Sequence, residues 1–195
     1  MEIKHGGRFS RLYKTVDVFR EANNPIGILK ISQKIKYPVG EKEAVLDLET
    51  TGLEPEWDEI LSFGIAKDHE IKVYTRVFAP EEELVKILRK ELRGVKRIYA
   101  YYCEFEERFL KSRRIWRREY YDLYKGKKLK DAINISFDDR ISGEDVPFLW
   151  VKFQVTGEIE HLMKIAHHNL TDIYRELMLY YAWDFPKIEP QVSLL

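Results

Sequence analysis

Two carboxylates one residue apart inside an apolar run set the terms for this chain. In Ala44-Val45-Leu46-Asp47-Leu48-Glu49-Thr50-Thr51-Gly52-Leu53, apolar residues lead into Asp47 and Glu49, and the run breaks at Thr-Thr-Gly. As a strand, it places Val45, Asp47 and Glu49 on one face and Leu46 and Leu48 on the other. Both acids then crowd one surface, where each raises the other's pKa. A fold accommodates that most readily with a cation between them, and hard oxygen ligands suit Mg²⁺ or Mn²⁺. The competing reading is an ordinary surface strand. Asp-x-Glu alone is weak in a chain with 33 acids; the apolar approach and the Thr-Thr-Gly exit are what point to a metal site.

The stretch from Leu46 to Leu53 resembles the first motif of the DEDD exonuclease superfamily, whose members cut phosphodiesters with four acids and two divalent ions. The resemblance implies an α/β fold of the ribonuclease-H-like type, a mixed five-stranded sheet flanked by helices. Residues 1–40 are basic and broken into short pieces: partial alternation over 12–19, a turn at Asn23-Asn24-Pro25 and a second strand over 26–35. They read as an N-terminal extension packed on a main domain of residues 41–195, with Pro38-Val39-Gly40 at the boundary.

The 195 residues suffice for one α/β domain and its core. With 34% charged and 45% hydrophobic residues the profile is that of a folded protein. A formal net charge of zero makes no overall case for a polyanion partner, so such a case has to come from local clusters. The single cysteine, Cys103, excludes an internal disulfide and fits a reducing compartment. Without a bilayer-spanning run or a signal-peptide core, the expectation is a cytoplasmic protein that does not engage membranes. Nothing in the sequence names a protein partner.

Strands are predicted over 60–66 and 71–78, joined by a tight turn at Asp68-His69. Pro80 and three glutamates open a helix whose apolar face is Leu84, Ile87, Leu88 and Leu92. Gly94 ends it, and residues 95–102 read as a fourth, buried strand. Glu106 then falls in the first turn of a helix bearing Phe105, Phe109 and Leu110. The Phe-acid-x-x-Phe-Leu order resembles the second motif of the YprB-like ribonuclease-H-like nucleases, where the acid is usually Asp. The resemblance implies Glu106 as the third metal-ligating acid, with Glu104 and Glu107 as nearby substitutes.

From Lys111 to Lys130, cations outnumber acids and Trp116, Tyr120, Tyr121 and Tyr124 lie among them. Cations that neutralise phosphates, interleaved with rings that stack on bases, suit a single-strand track, with Arg113 and Arg117 as candidate substrate contacts. A solvated helix with core aromatics is the alternative. A short helix over 131–137, a loop to Pro147 and a helix over 148–155 follow. A cap at Thr156-Gly157-Glu158 then precedes residues 159–166.

His167-His168-Asn169-Leu170-Thr171-Asp172 opens a final helix with Leu170, Ile173, Leu177 and Tyr180 on one face. In the superfamily a general base stands four or five residues before the last acid. The resemblance therefore implies Asp172 as the fourth acid, and His167 or His168 as the base, an imidazole titrating near neutrality. His161 and Asp184 read as structural, and residues 185–195 as a C-terminal arm. It further implies Asp47 as the bridging ligand of two ions, Glu49 and Asp172 on one ion, Glu106 near the other, and Thr50, Thr51 and Leu53 holding a terminal nucleotide. The expected activity is a Mg²⁺- or Mn²⁺-dependent 3′→5′ exonuclease on single-stranded DNA or RNA. A nuclease-fold module that binds nucleic acid without cutting it is the alternative, and a scavenger of very short oligonucleotides a third.

Overall fold

A computed structural model of the chain describes residues 27–133 and 137–184, with backbone alone for 183 and 184, and the backbone of residues 16–20. The turn expected at Asn23-Asn24-Pro25, the first part of the strand expected over 12–19, the end of the helix expected over 131–137 and the arm at 185–195 lie outside the described residues.

The acidic run forms β3 (Glu43–Thr50). It pairs antiparallel with β4 (Ile60–Lys67), which pairs antiparallel with β5 (Glu70–Arg76). On its other side β3 runs parallel to β6 (Arg97–Ala100), and β6 parallel to β7 (Glu119–Asp122). These five strands, in the order β5-β4-β3-β6-β7, are the expected mixed sheet. Two more extend it: β2 (Gly27–Lys34) pairs with β5, and β1 (Val16–Arg20) with β2, giving seven strands in all.

Alternation along β3 divides the core into layers. Leu46 and Leu48 face α1 (Glu81–Glu91) and α2 (Glu104–Ser112), packing with Leu84, Leu88, Phe109 and Leu110. Val45 faces the other way, toward Ile173 and Leu177 of α5 (Ile159–Asp184). Asp47 and Glu49 share that second face. A third cluster joins Leu61 of β4 to α4 (Val146–Thr156) and the first half of α5. Close approach of α5 to the sheet requires Gly64, which stands opposite Asp47 in the β3–β4 ladder. A Cβ there would lie 2.4 Å from Ile173 Cγ1 and 2.8 Å from Asn169 Oδ1.

Helix ends follow local chemistry. Three glutamates fill the first turn of α1 and Arg89 and Lys90 the last, each favourable to the helix dipole. Gly157 stops α4 in the left-handed region at φ 71°. After it, one 26-residue helix runs through the whole of the last motif. Between the end of α2 at Ser112 and Leu129 there is no helix. Turns with Arg114 and Arg117 at positive φ lead into the short edge strand β7, and a four-residue helix, α3 (Leu129–Ala132), closes the segment. The strand expected over 95–102 is confined to β6, because Tyr102 turns the chain at φ 62°. Among the described residues no helix is long and apolar enough to cross a membrane.

Candidate active site

The parallel strands β3 and β6 end on the same edge of the sheet, where crevices form in open α/β folds. β3 delivers Asp47 and Glu49 there, α2 begins there just after β6, and α5 crosses above. Ligand atoms of Glu49, His168 and Asp172 all lie within 4.8 Å of one another. His168 Nε2 stands 3.7 Å from Glu49 Oε1 and 3.6 Å from Asp172 Oδ2. Its Nδ1 is 2.9 Å from Asp139 Oδ2. The four-residue spacing of His168 and Asp172 puts them on one face of α5, one turn apart.

Asp47 is anchored by Asn169, whose amide donates to Oδ2 at 2.5 Å and to the backbone carbonyl at 3.3 Å. Glu106 is 2% exposed. Its alternatives do not compete for the cleft: Glu104 is exposed and Glu107 pairs with Lys111 at 2.6 Å. His167 is buried on the same helix but is not a member of the group formed by Glu49, His168 and Asp172. Of the two histidines, the fold brings His168 to the acids.

The site is electrostatically tense. Burial, then the charge of Asp172, push Asp47 up to about 7, although His168 and Asn169 oppose the shift. Burial also drives Glu49 and Glu106 well above the usual carboxylate range, and raises Asp172. Burial alone would lower His168, but the Asp139 hydrogen bond and the charges of Glu49 and Asp172 lift it to about 10. The carboxylates around it thus favour the charged form of His168 over the neutral imidazole. Burial would raise Asp139 too, yet bonds to His168 and Arg175 outweigh it and hold this carboxyl low.

Several neighbours went unmarked in the sequence. Asp139, expected only in the loop before Pro147, orients His168 and accepts from Arg175 at 3.0 Å. Arg175 also binds Asp172. Glu176, four residues after Asp172, is fully buried, and one of its oxygens accepts the Tyr101 N–H at 2.9 Å. Burial drives it well above the carboxylate range, with the charges of Asp47 and Glu106 adding to the shift. An acid at the i+4 position was the signal that could have marked it.

The expected substrate contacts divide. Leu53 is 71% exposed beside the acids' strand, free to meet a ligand. The Thr50 hydroxyl donates to the Gly52 carbonyl, and that of Thr51 to Asp58 while accepting from Glu59 N–H. Both hydroxyls serve the turn, and the Thr51 N–H donates to the Glu59 carbonyl at 2.9 Å. Arg117 is exposed. Arg113 is not a free cation: its guanidinium binds Glu81 and the carbonyls of Pro55 and Asp58. It is a clamp between two helices and a loop.

The family model described as RNase_H superfamily matches residues 44–184, most of the chain. The chain belongs to the RNase_H superfamily. This membership supports a nuclease. The chain is 28% identical over 169 residues to Uncharacterized protein MJ0365 of Methanocaldococcus jannaschii, covering 71% of this chain and 93% of that protein. Among solved structures it is similar to one described as the apo form of the nuclease, at 16% identity over 78% of this chain and 90% of that one, with a TM-score of 0.36. It is also similar to Brucella melitensis NrnC with bound Mg²⁺, at 15% identity, 78% and 91% coverage and a TM-score of 0.32. The chemistry rests on the side chains described above.

Proposed function

We propose that this RNase_H superfamily member is a divalent-metal-dependent nuclease that removes nucleotides from the 3′ end of single-stranded DNA or RNA. The observation that carries the reading is the meeting of Glu49 with His168 and Asp172, which lie more than a hundred residues later in the sequence, within 4.8 Å. Helix spacing accounts for His168 beside Asp172, but nothing local brings Glu49 to them, and the carboxylates are raised by burial that a cation would offset. The donor set fits Mg²⁺ or Mn²⁺: carboxylate oxygens predominate, and Glu106 Oε2 is buried with no hydrogen-bond partner. Two such ions, when bound, supply an activated water and neutralise charge on the leaving oxygen.

The protein's own groups have distinct tasks. Asp47, fixed by Asn169, and Glu49 present oxygens from one strand face, while Asp172 is held by Arg175. Asp139 fixes the ring orientation of His168, directing Nε2 into the cleft, where it orients the attacking water. His168 would accept that water's proton once the neighbouring carboxylate charge is compensated, since that charge favours its protonated form. Exposed Leu53 offers an apolar surface for the terminal base, and Arg117 a phosphate contact. We assign the activity to residues 41–195, treat 1–40 as an extension, and place the protein in the cytoplasm.

One observation favours the alternative of a binding module that does not cut: His168 and Arg175 already neutralise part of the acidic cluster from within. A 3′- and a 5′-labelled oligonucleotide, each as DNA and RNA, incubated with Mn²⁺ or Mg²⁺, separate these readings. A ladder shortening from the 3′ end is expected, lost in Asp47→Ala and reduced at least about 100-fold in His168→Ala, with His167→Ala retaining cleavage. Binding that persists in EDTA, with no cleavage under either metal, would establish the module instead.

A further inference from the structure

Glu176 is a buried acid without an evident structural need for its charge. None of its surface is exposed. Its Oε1 accepts the backbone N–H of Tyr101, the first residue after β6. Its Oε2 is sealed from solvent and has no hydrogen-bond partner among the described residues. Glu106 repeats the pattern: it stands in the first turn of α2, is 2% exposed, and its Oε2 is likewise buried and unpartnered. Glu176 thus reaches from α5 to the residue that follows β6, and Glu106 stands in the first turn of the helix that follows the same strand. The charges bearing on Glu176 are those of Asp47, Glu106 and Asp172, all negative. No described Lys or Arg pairs with it, in contrast to Asp172, which has Arg175. A glutamine would tether Tyr101 equally well and carry no ionisable group into the interior. An orphaned buried acceptor is costly to retain; a group that supplies positive charge to both oxygens resolves the cost.

We propose that Glu176 is a fifth carboxylate of the centre, holding a divalent cation together with Glu106 and Asp47 at the end of β6, apart from the position outlined by Glu49, His168 and Asp172. This rests on the two-ion nuclease reading and extends it. The two ion positions then draw on different residues: the outer on Glu49 and Asp172, the inner on Glu106 and Glu176, with Asp47 between.

The test is Mn²⁺ binding to the full chain, followed by electron paramagnetic resonance of free Mn²⁺ and by calorimetry, for wild type, Glu176→Gln and Glu49→Gln. Wild type is expected to take up two ions. Glu176→Gln, which is isosteric and keeps the Tyr101 tether, should weaken one by at least tenfold and leave the other within twofold; Glu49→Gln should do the reverse. Near-UV circular dichroism verifies the fold of each variant. Should Glu176→Gln not fold, Glu176→Asp, which keeps the charge on a shorter arm, is held to the same criterion. Two ions bound by Glu176→Gln at wild-type affinity overturn the proposal, as does a wild type that binds fewer than two. If that unchanged variant still cuts oligonucleotides, only the Glu176 assignment falls. If wild type binds Mn²⁺ but cuts nothing, the nuclease reading fails instead.

Discussion

Gly64→Ala probes whether α5 is seated on the sheet closely enough to bring Asp172 to Asp47 and Glu49. The new methyl would meet Ile173 Cγ1 at 2.4 Å, about 1 Å short of ordinary van der Waals contact near 3.4 Å, and Asn169 Oδ1 at 2.8 Å. Neither neighbour is the free end of a mobile chain: Ile173 is fully buried, and Asn169 is committed to Asp47. Relief therefore requires the helix to lift or both side chains to leave their rotamers. Overpacking of this kind costs about 1–3 kcal/mol, and a displacement of ~1 Å at reacting groups lowers the rate by roughly 100-fold. Urea denaturation should accordingly show Gly64→Ala less stable by that margin, and oligonucleotide cleavage slowed by about two orders of magnitude. Gly64→Ala/Ile173→Ala removes the nearer clash and should regain much of the activity, though less of the stability. A single variant with wild-type stability and cleavage would refute the close seating of α5 against β3, and with it the spatial basis of the site.

Two further outcomes follow from the same geometry. Asp47 is raised from 3.8 to about 7 and His168 from 6.5 to about 10 in the folded state. Each contributes stability that is complete below its unfolded value and is lost as pH rises through its folded value. In EDTA the melting temperature should thus fall as pH rises from about 4 to 7 and continue falling toward 10. Mn²⁺ should raise it more at pH 8 than at pH 5, because deprotonated ligands bind the ion; a flat pH profile in EDTA counts against the buried acidic cleft. Arg113→Ala should lose about 2–3 kcal/mol of stability by stripping charged hydrogen bonds from the clamp, read by urea denaturation, without changing the salt dependence of oligonucleotide binding. Arg117→Ala should leave stability within about 0.5 kcal/mol and reduce the salt slope of binding by about 1; the opposite pattern would return Arg113 to the substrate path.

What the sequence disclosed depended on whether the signal was local. The alternation of β3 put Asp47 and Glu49 on one strand face, because a strand's period is a property of adjacent residues. Glu106 was set apart from Glu104 and Glu107 only by the resemblance of the Phe-acid-x-x-Phe-Leu order. Arg113 misled because a cation among cations looks like a phosphate contact, whereas its partners Pro55 and Asp58 belong to a loop more than fifty residues earlier. β7 left no trace of alternation, since most of its four residues are exposed at the sheet edge. Asp139 and Asn169 derive their importance entirely from what α5 brings beside them. Between His167 and His168 the sequence had no means to choose; the rotation of α5 against β3 decides it.

The ladder between β3 and β4 carries a surplus residue: Glu49 faces Ser62 and Thr50 faces Ile60, leaving Leu61 unmatched. Leu61 is also the one strand residue among the buried members of the cluster that holds α4. Removing it would restore a regular ladder yet take away the peg on which α4 hangs. Natural length variation should therefore spare this point even though a tidier sheet would result, and grafts of α4 onto related sheets would need the extra residue to travel with it.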